Sequence, residues 1–195
     1  MLVTGGYNGP GAERPRKYVQ GSLRDAYVSQ GAFLPGELEY KRSCNALGAT
    51  PNSYVKGSLK ESASQQAGED QLLGGRFVSL RGTYLGERGF IAMLPILDRS
   101  TCWTSLDASN NGLRNEAILH LVDMLFRPHH KGRSIKLILN NNPISEGAGK
   151  ALLALIHGHP CITGCELHRT KVPRQLRLAV LKALQAPVAD ACPCG

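Results

Sequence analysis

The chain is poor in aromatic residues: Phe, Tyr and Trp make up 6% of its 195 positions, with one Trp. A core must therefore be built from aliphatic side chains. There is no apolar run near the ~18 residues that a membrane-spanning helix needs, which excludes one. The opening stretch MLVTGGYNGPGAERPRKY has no apolar segment of the kind a secretory leader carries, and its mixed acids and prolines make a poor transit peptide. Acids are also scarce. Asp and Glu number 15 against 23 Lys and Arg, a formal charge of +8. That surplus favours an acidic partner, whether nucleic acid, an anionic membrane or an acidic protein surface. Six cysteines, at 44, 102, 161, 165, 192 and 194, are neither dense nor evenly framed. Without a leader they read as reduced thiols of an intracellular protein. What is present is 42% hydrophobic and 19% charged residues, enough for one packed domain.

Residues 1–35 hold many glycines and prolines and keep no helix or strand period, so they read as an extended arm. Tyr7, Tyr18, Tyr27 and Phe33 are spaced along it as anchors for gripping a partner. Residues 36–73 read as a helical cap and loop. The helix former GELEYKRSCNA is followed by Gly48 as a C-cap. Thr50 is placed to cap a second helix through Leu59, with Pro51 at its first position. Residues 61–72 are polar and read as loop, and residues 186–195 as a C-terminal tail.

From 74 to 185 the chain repeats. Val78, Leu80 and Leu85 recur as Leu106, Ala108 and Leu113, as Leu137, Leu139 and Ile144, and as Cys165, Leu167 and Val172. The third anchors of successive units are 28, 31 and 28 residues apart. Eight, nine and twelve residues after each third anchor stand Met93, Leu94 and Leu97; Leu121, Val122 and Leu125; Leu152, Leu153 and Ile156; Val180, Leu181 and Leu184. Six columns by four units give 24 positions, and every one is apolar. Chance would give this about once in a billion frames, so the repeat is real. The first three columns have the period of a strand, the last three that of one helix face. A polar column, Thr83, Asn111, Asn142 and Thr170, falls where each strand ends. Gly89, Ala117 and Ala148 hold a small-residue position four places after the anchor, where the fourth unit has Leu176. The predicted fold is α/β: a short solenoid of about four strand–helix units on a parallel sheet.

SLDASNNGLRNEAILHLVDML and IKLILNNNPISEGAGKALLALI closely resemble the leucine-rich repeat family in its 28-residue, ribonuclease-inhibitor-like subtype. Departures are Thr for the ladder Asn at 83 and 170, Ala for Leu at 108, and three extra residues around RPHHKGR. That scaffold serves many roles, so it implies a fold rather than a task. The segment from Tyr40 through Cys44, Leu47-Gly48 and Pro51-Asn52 resembles the helix that precedes the repeats in leucine-rich repeat proteins of the ciliary and flagellar axoneme. This second resemblance implies a structural protein of the cytoskeleton, docked on doublet microtubules through tubulin or other axonemal proteins.

The candidate sites are surfaces. Arg81, Asp107, Asn140, Glu166 and His168, with Ser79, Ser109 and Ile138, fall on the concave side of the strands. A basic edge is expected from Arg127, Lys131, Arg133 and Lys136 in the insertion and from Arg169, Lys171, Arg174 and Arg177 in the last repeat. Stacking geometry can bring these two clusters near one another at one edge. Neither interleaves bases with aromatics as sequence-tolerant RNA binders do, which makes nucleic acid the weaker partner. His157, His159, Cys161 and Cys165 lack the paired spacing of a zinc site, and no nucleophile elbow or phosphate loop is present. The expectation is a non-catalytic interaction protein without cofactor or metal. The alternatives left open are a basic subunit of a ribosome-like ribonucleoprotein and a soluble adaptor using its concave face.

Overall fold

The computed structural model describes residues 36–64, 75–100 and 102–185, all within the unit Leu34–Gly195. Among the described residues two helices, α1 (Gly36–Ala46) and α2 (Ser53–Ser64), precede four strand–helix units. These are β1 (Phe77–Ser79) with α3 (Gly86–Arg99), β2 (Ser105–Asp107) with α4 (Asn115–Leu125), β3 (Ile135–Ile138) with α5 (Glu146–Gly158), and β4 (Ile162–Glu166) with α6 (Arg174–Gln185). A 3-10 turn, Pro128–His130, occupies the insertion. The sheet is parallel in the order β1-β2-β3-β4. The architecture is α/β and compatible with a repeat solenoid.

The register of the sheet is the register of the sequence repeat. Val78 pairs with Leu106, Leu106 with Leu137, and Leu137 with Cys165. Each unit has one strand face and one helix stripe that are apolar, and stacking closes them into one interior. Of the 24 columnar positions only Leu153, Leu181 and Leu184 escape full burial, and Leu181 is 49% exposed. The reason is position: α6 has a packed helix on one side only, among the described residues. By contrast α3, which packs against both α1 and α4, buries Phe90 through Leu94 as well as Ile96 and Leu97.

The polar column works as a backbone glue. Asn142 Nδ2 donates to the carbonyls of Ala108, Leu139 and Asn140, and its Oδ1 accepts from the N–H groups of Asn111 and Leu113. Asn111 repeats the pattern one unit earlier, on Leu80, Ala108, Ser109 and Leu85. An amide holds both donors and acceptors, so it can bridge two units of otherwise orphaned backbone. Thr83 and Thr170 each have one hydroxyl proton: Thr83 Oγ1 lies 2.8 Å from the Leu80 carbonyl and 2.9 Å from Asn111 Oδ1 in the next unit, whereas Thr170 donates to the Leu167 carbonyl in its own unit.

The cap corrects two expectations. Pro51 and Thr50 do not open α2. The helix starts at Ser53, and Asn52 caps it by accepting the Val55 N–H at 3.2 Å, since Asn is a stronger cap than Thr. The helix also runs past Leu59 to Ser64, so 61–64 are helical rather than loop. Asn52 Nδ2 then donates to the Thr83 carbonyl at 2.7 Å and joins the cap to the first unit. Glu39, buried in α1, pairs with Arg99 at the end of α3. Gly48 takes φ +62° and ends α1, as its C-cap role requires.

Leu176, the bulky exception in the small-residue column, is accommodated by its neighbour. A Cβ on Gly149 would come within 2.6 Å of Leu176 Cδ2 and 2.7 Å of Val172 Cγ1. The missing side chain on α5 is the space that Leu176 fills.

Candidate interaction surfaces

The two basic clusters lie apart. Arg127, Lys131 and Arg133 precede β3 and Lys136 lies within it, while 169–177 follow the C-terminal end of β4. In a parallel sheet the residues before β3 and those after β4 leave opposite ends of the strands.

Most of the first cluster is engaged internally. Asp98, at the end of α3, accepts from Arg127 through Oδ2 and from His129 and His130 through Oδ1, the two imidazole Nε2 atoms lying at 2.9 and 3.0 Å. Burial pushes the Asp98 carboxyl up, but the hydrogen bonds from His130 and His129 and the charge of Arg127 outweigh it and hold the group below its usual value. Arg133 donates to His130 Nδ1 at 2.8 Å and to the Trp103 carbonyl, and its guanidinium lies 5.1 Å from the centre of the Trp103 ring. Trp103 is fully buried and donates to the Leu97 carbonyl. Lys136 pairs with Glu166 at 2.7 Å. In this cluster Lys131 alone keeps its charge exposed and outside these pairs.

Among the described residues, Asp98, His129 and His130 form the group whose ligand-type atoms converge, all within 4.8 Å of one another. The hydrogen-bond directions make this a latch. Arg133 can only donate, so His130 Nδ1 accepts and His130 Nε2 carries the proton it gives to Asp98. A metal on Nε2 would move that proton to Nδ1, facing the guanidinium, where a ligating histidine needs an acceptor. The insertion is thereby tied back to the unit before it. Sequence reasoning missed Asp98 because it sits outside the six apolar columns. The available signal was its distance: residues one repeat step apart meet, and Arg127 follows it by 29.

His157, His159, Cys161 and Cys165 do not converge as a ligand set. His159 is buried and donates through Nε2 to the His130 carbonyl at 2.8 Å. Burial pushes its imidazole pKa down. Cys165 is a core residue whose thiol burial raises to about 12. The expectation of reduced thiols is corrected at Cys161, which is disulfide-bonded. Cys44, Cys102 and Cys165 are free.

On the strand face, Asp107 is not presented to solvent. It is 6% exposed, and its Oδ1 accepts the Ser109 N–H at 2.9 Å, closing the turn after β2. Ser109 is buried as well. Asn140 donates to Glu166 at 3.0 Å and accepts the His168 N–H at 2.7 Å. The hydrogen bonds from Lys136 and Asn140 hold the Glu166 carboxyl below its usual range. These polar groups largely satisfy one another. His168 and Arg81 project outward.

The residue that sequence reasoning overlooked is Tyr84. Its ring is 85% exposed and its φ is +53°, an unusual backbone for a bulky side chain. The equivalent position in the next unit is Gly112, at φ +68°. Tyr84 lines an open groove of about 850 Å³ with Ser79, Arg81, Gly82, Asn110, Gly112 and Asn141.

The second cluster keeps its charges. Arg169, Lys171 and Arg174 are exposed and enter no ion pair with a described residue. Arg177 is half-buried, with an unpartnered Nε. The arm residues Tyr7, Tyr18, Tyr27 and Phe33 lie outside the described residues. No described helix is long and apolar enough to cross a membrane. No protein-family model matches the chain, and no curated protein matches it.

Proposed function

We propose that this chain is a non-catalytic interaction protein of the leucine-rich repeat type, a structural component of the flagellar axoneme docked on doublet microtubules. The observation that carries the interaction reading is the unpaired basic surface of the last unit, Arg169, Lys171 and Arg174, on a solenoid whose interior is filled by aliphatic side chains. Such a surface needs an acidic counterpart, and tubulin supplies one. The axonemal assignment rests on the resemblance of the Tyr40–Asn52 segment. The aromatic anchors of the arm, Tyr7, Tyr18, Tyr27 and Phe33, extend the grip on partner subunits in this reading.

The test is fractionation of flagellated cells that express the full chain. The protein should stay with detergent-extracted axonemes, leave them in high salt, and ignore nuclease. Release by nuclease would assign it to a ribonucleoprotein instead. A second reading, an adaptor that binds through its strand face, is favoured by the Tyr84–Arg81 groove. Under it, Arg81→Ala and Tyr84→Ala abolish partner binding while Lys171→Ala does not.

A further inference from the structure

In the inner units two helix columns carry apolar or small residues, and at Gly149 in one of them the next unit sets Leu176 and Val172 against the helix. Five places after the third anchor stand Phe90, Ile118 and Gly149, all buried; nine places after stand Leu94, Val122 and Leu153. The same positions in α6 are Arg177 and Leu181. Among the described residues no helix succeeds α6, which fully buries only Val180. Leu178 is 54% exposed and Leu181 49%. Spacings of three and four place Arg174, Arg177, Leu178, Leu181 and Lys182 on one outward surface. No acid occurs between Glu166 and Asp190, and neither Arg174 nor Lys182 enters an ion pair with a described residue.

We propose that this open face of α6 is a docking site for an acidic amphipathic helix of a partner protein, laid alongside α6 where a fifth unit's helix would lie. The assignment rests on the reading of the chain as an interaction protein and names the kind of partner. The apolar pair calls for leucine-like residues at helical spacing. The flanking cations call for carboxylates on either side of that stripe. A second copy of this face is the wrong occupant, because it would set Arg174, Arg177 and Lys182 against themselves. Residues 186–195, with one acid and two prolines, lack the composition of such a helix.

The probe is a fluorescein-labelled synthetic helix of about 18 residues, with Leu at helical spacing and Glu on both flanks, titrated with the full chain. Fluorescence anisotropy should show saturable binding that falls at least tenfold in Leu178→Ser/Leu181→Ser and again in Arg174→Glu/Lys182→Glu. Both variants change outward-facing residues, and circular dichroism should show the wild-type fold. Gly57→Ala, in α2, should bind as wild type. Absence of saturable binding would overturn the proposal, as would equal affinity for a peptide with Lys in place of Glu. Preference for phosphatidylserine vesicles, or self-association that the same substitutions abolish, would give the face to another occupant and also overturn it. Loss of axonemal fractionation with peptide binding intact would sink the location and leave this site standing.

Discussion

Asn142 accepts the backbone N–H of Asn111 at 3.1 Å, joining two units across 31 residues of sequence. Each of these asparagines serves buried backbone in its own unit and in the unit before it. Asn142→Ala should therefore cost about 2–4 kcal/mol, because several buried N–H and C=O groups lose their partner at once. Thr170→Ala removes one half-buried hydrogen bond and should cost about 1 kcal/mol or less. Urea midpoints at an unchanged slope would measure both, and equal costs would contradict the ladder's role.

Asp98 makes the latch pH-sensitive. Its folded carboxyl is held below the unfolded value by His130, His129 and Arg127 acting against burial. A depressed carboxylate contributes stability that is present above its unfolded pKa, near 3.9, and is lost as pH falls through the lower folded value. Asp98→Asn should lower stability at neutral pH and flatten its decline in acid. Thermal melts of both proteins across the acid range would check this, and parallel pH profiles would count against it.

Gly149→Ala gains helix propensity but drives a Cβ to 2.6 Å from Leu176. The clash should dominate, with a net loss of about 1–3 kcal/mol, and Leu176→Ala in the same chain should recover part of it. Gly57→Ala in α2 meets nothing within 4 Å and should stabilise by about 0.5–1 kcal/mol. Chemical denaturation of the three variants separates sterics from propensity.

Tyr84 holds a left-handed backbone with its ring in solvent. Tyr84→Gly relieves roughly 1 kcal/mol of strain and adds a similar entropic cost, so stability should be unchanged to within about 1 kcal/mol. A large loss on denaturation would show that the ring packs against something. An unstrained deletion would mark the exposed ring as available for recognition.

Much of the architecture was legible in the sequence. The columns headed by Val78, Leu106, Leu137 and Cys165 became the register of the sheet residue for residue, because a repeat of near-constant length stacks equivalent positions. The polar column became the backbone glue for the same reason. Besides Asp98, Tyr84, the Cys161 disulfide and the helical 61–64, three more things escaped. Asn52 displaced Thr50 and Pro51 as the start of α2, a competition between neighbouring caps that spacing does not decide. Asp107 turned inward to its own turn, where period alone made it a surface carboxylate. Arg127, Arg133 and Lys136 read as a free basic patch, yet each found a partner about one repeat step away.

By itself the sequence determined the strand–helix unit, its length and the aliphatic residues that fill it, since hydrophobic period is a local property of the chain. Tertiary structure alone decided which charges stay free. Stacking brings residues about 28–31 positions apart into contact, so Asp98 and Glu166 neutralise the insertion and Lys136. No acid meets the outward side of α6 among the described residues, which leaves Arg174, Lys182 and the leucines between them open.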